Sequence, residues 1–198
     1  MLDIDLIYPH SYEVQELREI PGVGALDAPL VYLPAPKGRP EHDGLWLRFH
    51  AASGKNWVGV FAFGYDSPPA FSRVVSSPNP GRACVIAKGR GFLVSADDSE
   101  QWEEIQILPV LDVRAIPERQ ILVFANFTHL AAYGSNGLVW RSPRVCWDEL
   151  KIVDVTRDTI EGTGFDPTTQ RESRFVVDLE NGRSLLPSPV STDGWPLW

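Results

Sequence analysis

The chain has 198 residues, of which 43% are hydrophobic and 22% are charged, and its formal net charge at pH 7 is −8. This composition is that of a globular protein and excludes a disordered or fibrous chain. The basic residues are scattered among acids, so the charge argues against binding to nucleic acid or to an anionic membrane surface. No stretch approaches the roughly 18 consecutive apolar residues of a membrane span, so we also predict no transmembrane helix.

The sequence begins with a mixed, acidic stretch, residues 1–27, which we predict to be an arm that packs on a sheet. Within it, residues 11–19 have a weak helical pattern, with Ser11 placed to cap a short helix and Pro21-Gly22 placed to end it. From residue 28 to 187 apolar and polar residues alternate, with many β-branched and aromatic side chains, which predicts short strands. The candidate strands are 30–33, 45–49, 57–63, 71–75, 82–87, 91–95, 102–107, 110–115, 120–125, 128–133, 138–141, 150–155, 159–162, 174–179 and 183–186.

Turn residues between these segments predict hairpins. Asn136-Gly137 and Asn181-Gly182 are typical of tight hairpin turns, and Gly89 can adopt a left-handed backbone between two strands. Short strands joined by such turns predict an all-β, antiparallel domain with at most one or two short helices. A two-sheet sandwich or a barrel-like fold is the favoured architecture, and propeller-like blades are the alternative. We predict one domain over residues 1–198, in which residues 188–198 form a tail rich in proline and tryptophan.

A strand–turn–strand unit recurs loosely along the chain, beginning near residues 83, 121 and 152. In the second copy, residues 131–140 (Ala-Ala-Tyr-Gly-Ser-Asn-Gly-Leu-Val-Trp) resemble the strand–turn–Trp stretch of quinoprotein-type propeller blades. This resemblance implies that Trp140 locks one blade against the next. Residues 121–186 also resemble small single-domain bacterial all-β proteins of uncharacterised function, a resemblance that implies no activity.

Patterns of catalysis and metal binding are absent from the sequence. The histidines are far apart and lack metal-ligand spacing; they are His10, His42, His50 and His129. The chain has no nucleophile elbow and no phosphate-binding loop. Cys84 and Cys146 each lie in an apolar run, which predicts two buried thiols and no disulfide. We therefore expect no cofactor, no metal and no catalytic residue, and we favour a protein that is not an enzyme. The acidic amino-terminal stretch lacks the pattern of a signal peptide, so we expect a cytoplasmic location.

Two features are candidate binding sites. Five acids with no base among them lie between residues 97 and 104; they are Asp97, Asp98, Glu100, Glu103 and Glu104. This run suits a calcium loop, a catalytic pair of carboxylates, an acidic surface for a partner, or simply a solvated loop before a strand. The tail carries Trp195 and Trp198, whose apolar surface predicts packing against the domain, a second copy or a partner. The tryptophans in or beside apolar strands are predicted to be core; they are Trp46, Trp57, Trp140 and Trp147.

Two functions of different classes fit these observations. The first is a non-catalytic binding or protein-interaction module, in which the acidic surface attracts a basic partner, or in which a second copy is the partner. The second is a carbohydrate-directed protein, either a lectin-like module or a glycosidase, because exposed indole rings stack on sugar rings. Two exposed, coplanar tryptophans in one groove would favour the carbohydrate, whereas buried tryptophans beside an acidic concave surface would favour the protein partner.

Overall fold

The chain is almost entirely β-structure. The computed structural model describes residues 2–19, 26–35, 43–65 and 68–186. In this part of the chain the one helix is a single 3-10 turn, Pro117–Arg119. The all-β fold class with at most one or two short helices is therefore confirmed. The chain divides into two compact units, Met1–Val110 (unit 1) and Leu111–Trp198 (unit 2), and the single domain expected from the sequence stays a prediction.

Unit 1 contains two sheets whose strands come from distant parts of the sequence. The strands in chain order are β1 (Asp3–Asp5), β2 (Tyr12–Glu16), β3 (Leu30–Leu33), β4 (Gly44–Ala51), β5 (Asn56–Ala62), β6 (Arg73–Ser76), β7 (Arg82–Ala87), β8 (Arg90–Ser95) and β9 (Trp102–Glu104). Sheet A has the order β1-β6-β7-β8-β9, and sheet B has the order β2-β4-β5-β3. Neighbouring strands are antiparallel except β1 with β6 and β3 with β5, which are parallel.

Sheets A and B of unit 1 share one hydrophobic core. On β4 the buried residues are Leu45, Leu47 and Phe49, because successive side chains of a strand point to opposite faces. The two sheets meet where the ring of Phe61 on β5 lies 5.5 Å from that of Phe92 on β8, edge to face. Burial of such rings stabilises the pair of sheets, since apolar area removed from water contributes roughly 25 cal/mol per Å².

Unit 2 is built in the same way. Its strands are β10 (Asp112–Ile116), β11 (Ile121–Ala125), β12 (Leu130–Gly134), β13 (Gly137–Arg141), β14 (Asp148–Val155), β15 (Thr159–Asp166) and β16 (Arg171–Asp178). Sheet C has the order β10-β11-β12-β13, and sheet D has the order β14-β15-β16, with every neighbouring pair antiparallel. Sheets C and D bury a second core. The predicted hairpin turn between β12 and β13 is present, and Gly137 takes a φ of 105° there.

One hydrogen bond recurs in both units and joins their sheets. In unit 1, Nε1 of Trp57 on β5 donates to the carbonyl oxygen of Ala96, just beyond β8, at 3.0 Å. In unit 2, Nε1 of Trp140 on β13 donates to the carbonyl oxygen of Leu179, just beyond β16, at 2.8 Å. In each case the acceptor lies 39 residues after the tryptophan. Trp140 therefore connects one sheet to the next, as the resemblance of residues 131–140 implied.

The prediction of a short helix over residues 11–19 is wrong. Tyr12–Glu16 is strand β2, antiparallel to β4, with Glu13 paired to His50. Tyr12 is buried while Glu13 and Gln15 are exposed, which is the two-residue period of a strand. The stretch 1–27 is thus no separate arm, because β1 and β2 are the edge strands of sheets A and B.

Candidate interaction surface

Two hollows adjoin on unit 1, on either side of the residues that follow β2. One, of about 760 Å³, is lined by Leu2, Ile4 and residues 15–19. The other, of about 690 Å³, is lined by residues 16–18, residues 43–46, Phe63, Gly64 and Lys88. We call the second the aromatic hollow, because Trp46 and Phe63 both line it. Residues 16–18 separate the two hollows and contribute to both.

Trp46 faces away from the core because of its place in β4. Leu45 and Leu47 on either side of it are buried, so the alternation of the strand turns Trp46 to the opposite face of sheet B. Its ring is half-buried and lies 6.4 Å from the ring of Tyr32, edge to face. The prediction that Trp46 belongs to the core is therefore wrong, whereas Trp57 and Trp140 are buried as predicted.

Phe63 lies just beyond β5 and is 37% exposed. The ammonium of Lys88 lies 4.6 Å from the centre of its ring, which is a cation–π contact. The segment is tied to the turn after β7, because the amide of Gly64 donates to Ala87 O at 3.1 Å and that of Tyr65 donates to Lys88 O at 2.6 Å. The backbone thus fixes Phe63 at the rim of the hollow.

Charges of both signs surround the apolar surface of the aromatic hollow. Arg18 pairs with Glu16 at 3.4 Å, and the Arg18 side chain is 62% exposed. Asp43 and Lys88 line the same hollow. An exposed pair of this kind contributes little to stability, so its groups are available to a partner at low cost. Aromatic side chains among mixed charges are the composition found at the centres of protein interfaces.

The acidic run between β8 and β9 is used largely within unit 1. Arg82 pairs with Glu103 at 2.9 Å, and Arg90 holds Glu104 through two hydrogen bonds of 2.8 and 3.0 Å. Asp98 accepts hydrogen bonds from the Glu100 amide at 3.1 Å and from Gln101 Nε2 at 3.0 Å, which shapes the turn. The carboxylate of Asp97 accepts a hydrogen bond from the hydroxyl of Ser53. A binding role for this run stays a prediction.

Trp195, Trp198 and His42 lie outside the described residues, so the predictions for the tail remain open to experiment. Trp147, predicted to be core, is half-buried, and the guanidinium of Arg144 lies 5.0 Å from the centre of its ring. Trp102, the remaining described tryptophan, lies on β9 with its ring 6.2 Å from that of Phe92.

Both cysteines are buried free thiols, as their apolar surroundings predicted. Burial raises the pKa of Cys84 far above the ordinary value of a thiol. Burial also raises the pKa of Cys146 to about 11, and its Sγ donates to Phe127 O at 3.4 Å. Both groups are therefore neutral at physiological pH, which is unfavourable for a nucleophile.

Within the described residues, no group of three or more His, Cys, Asp or Glu side chains is placed to hold a metal ion. In the same part of the chain, no helix is long and apolar enough to cross a membrane. The absence of a bound metal stays a prediction.

The sequence contained a signal for Trp46 that the reading of strand composition overlooked. The strict alternation from Leu45 to Phe49 assigns Trp46 to the face opposite Leu45 and Leu47. Phe63 has no such signal, because it follows the last residue of β5 and its position depends on the distant turn at Lys88.

Comparisons with known proteins leave the chain without a family. No protein-family model matches it, and no curated protein matches it either. Among solved structures it is similar to one titled "Crystal Structure of the N-terminal Domain of Nup159", with 12% sequence identity and a TM-score of 0.35. That match covers 92% of this chain and 52% of the other, so the chain spans about half the length of that structure. A likeness at this TM-score supports no inference, and the description of the fold rests on the strands and cores of the chain itself.

Proposed function

We propose that this protein is a non-catalytic interaction module that binds an apolar side chain of a partner protein in the aromatic hollow of unit 1. The observation that supports this most is the placement of Trp46 and Phe63 in one hollow, both partly exposed and both held by the backbone of sheet B. Large, rigid aromatic side chains provide most of the binding energy in protein interfaces.

Charge supports a partner segment that carries basic residues. The formal net charge of the chain is −8, which accelerates encounter with a basic partner and slows encounter with an acidic one. Glu16 and Asp43 at the hollow give a basic group a local carboxylate, while Arg18 and Lys88 limit the site to a partner with mixed charges. Association should therefore weaken as salt concentration rises.

The geometry favours a protein partner over a carbohydrate. Among the described residues the aromatic hollow contains one tryptophan, Trp46, rather than two coplanar indoles. Trp57 and Trp140 are buried in the cores, and Trp102 packs beside Phe92. A carbohydrate ligand therefore has one indole face available here, and we keep it as an outcome of the test.

The test is a selection of random peptides displayed on phage against the whole protein, followed by affinity measurements with the enriched peptides. We expect the enriched peptides to share an apolar residue with basic neighbours. Phe63→Ala should weaken their binding by about tenfold or more, since loss of an interface aromatic typically costs above 1 kcal/mol. Leu138→Ala in unit 2 is the matched control, because Leu138 is 42% exposed, and it should leave the affinity unchanged.

The proposal would be overturned if no peptide is enriched, or if Phe63→Ala and Leu138→Ala have the same effect. It would also be overturned if a glycan array gives specific binding that Trp46→Ala abolishes while peptides do not bind. Circular dichroism of each variant distinguishes lost binding from lost folding.

A further inference from the structure

The second sheets of the two units correspond strand by strand. In unit 1, β6, β7, β8 and β9 follow one another as antiparallel neighbours in sheet A. In unit 2, β14, β15 and β16 do the same in sheet D, and an antiparallel bridge of Val177 with Ser184 continues that sheet as β9 continues sheet A. The recurring indole bond from Trp57 and Trp140 fixes the correspondence.

The correspondence ends at one edge. In sheet A, β1 pairs in parallel with the outer edge of β6, with Asp3 beside Arg73 and Ile4 beside Val74. In sheet D the strand in the position of β6 is β14, and no described residue pairs with its outer edge. The molecule therefore covers this edge with a strand in one unit and leaves it open in the other.

We propose that the outer edge of β14 binds an extended segment of a partner protein, rich in lysine or arginine, as β6 binds β1. This proposal concerns a different surface from the aromatic hollow and does not depend on it. An extended segment added to a sheet edge gains affinity from backbone hydrogen bonds and specificity from alternate side chains.

The side chains of β14 specify the chemistry of the segment. Val153 is 70% exposed, which makes it a contact for an apolar residue. Asp148, Glu149 and Asp154 are exposed along the same strand. The one cation on the strand, Lys151, pairs with Glu172 at 3.5 Å. The edge thus presents an apolar contact among carboxylates, which is complementary to a segment in which apolar and basic residues alternate.

The same charges and the shape of the strand argue against a second copy as the occupant. Two β14 edges side by side would place carboxylates against carboxylates, which is destabilising. The register with β15 also breaks between Asp148 and Lys151 and again between Ile152 and Asp154. Bulges of this kind twist an edge strand and prevent long, flat pairing between copies, while a segment as short as β1 needs few ladder bonds.

The test uses the full chain and a synthetic peptide of alternating lysine and valine, with a peptide of alternating glutamate and valine as the control. We expect saturable, salt-sensitive binding of the lysine peptide and none of the glutamate peptide. Val153→Lys should weaken binding of the lysine peptide by about tenfold or more, because a lysine on an edge strand repels a basic segment. Val139→Lys is the matched control, since Val139 is 55% exposed on the edge strand β13, and it should leave binding unchanged.

A second variant, Asp154→Lys, tests the charge without altering Val153 and should weaken the binding in the same way. Phe63→Ala should leave it unchanged, so failure here and failure of the aromatic hollow are separable. The proposal is overturned if the lysine peptide does not saturate, if the glutamate peptide binds equally well, or if Val139→Lys has the effect of Val153→Lys. It is also overturned if the wild-type protein sediments as a dimer that Val153→Lys dissociates, since the occupant is then a second copy.

Discussion

At the residue scale, the two indole hydrogen bonds are the most specific contacts between sheets. Trp57→Phe and Trp140→Phe keep an aromatic ring but leave the carbonyl of Ala96 or Leu179 without its donor. A buried polar group without a partner costs about 1–3 kcal/mol, so each variant should lose stability of that order in urea denaturation. Trp102→Phe is the control, since no hydrogen bond is seen from its indole, and it should cost less. Equal losses for all three variants would contradict this account.

His129 gives the protein a pH dependence with a defined sign. Burial, together with the nearby Arg141 and Arg144, holds the pKa of His129 below its ordinary value. The unfolded chain, with a histidine pKa near 6.5, therefore takes up the proton more readily than the folded one. Stability should be constant above that pH and fall as the pH drops below about 6.5, until the lower folded pKa is passed.

His129→Gln should remove this part of the decrease, as measured by urea denaturation between about pH 5 and 7.5. Arg141→Gln should raise the pKa of His129 in an NMR titration, because one repelling charge is gone. An unchanged slope in His129→Gln would show that other groups cause the acid sensitivity.

At the element scale, sheet D depends on a glycine at a close crossing of strands. A Cβ at Gly162 would lie 2.2 Å from the carbonyl oxygen of Lys151 and 2.4 Å from the ring of Phe175. Gly162→Ala must therefore push β15 away from β14, and overpacking of this kind typically costs about 1–3 kcal/mol.

Gly81→Ala is the matched control, because the nearest atom to its Cβ would be Asn79 Oδ1 at 3.6 Å, an ordinary contact. Thermal denaturation of the two variants measures the difference. If Gly162→Ala melts no lower than Gly81→Ala, the strands at this crossing tolerate the added carbon and the close approach has no structural role.

Elements with a clear two-residue period were predictable, and those fixed by long-range pairing were not. The strong strands Gly44–Ala51 and Asn56–Ala62 were predicted from alternation, and the tight turn at Gly137 from its Asn-Gly pair. Residues 11–19 were mistaken for a helix because their pattern is short, and the pairing of Tyr12–Glu16 with β4 decides their conformation. β1 pairs with a strand some 70 positions later, a contact that no local pattern reveals.

At the scale of the whole molecule, the candidate site was the part that the sequence predicted least. Alternation assigned Trp46 to an outward face, but composition alone suggested the core. The acidic run from Asp97 to Glu104 was conspicuous in sequence, yet two of its carboxylates pair with Arg82 and Arg90 inside unit 1. Ion pairs across a sheet depend on register, which the sequence does not provide directly.

The tail remains a prediction of the sequence. Each tryptophan side chain buries roughly 150–250 Å² when packed, so Trp195 and Trp198 together could contribute several kcal/mol at about 25 cal/mol per Å². Deletion of residues 188–198 should therefore lower the melting temperature by several degrees or reduce the size of an oligomer. Calorimetry and size-exclusion chromatography measure both quantities. An unchanged melting temperature with unchanged elution would show that the tail contributes nothing to stability or assembly.

The most direct measurement of the proposed function is backbone hydrogen exchange of the whole protein with and without a peptide enriched by selection. If the aromatic hollow is the binding site, protection should appear at residues 15–19, 43–46 and 63–65, and Phe63→Ala should abolish it. Protection confined to other parts of the chain, or protection that persists in Phe63→Ala, would contradict the assignment of the interaction to this hollow.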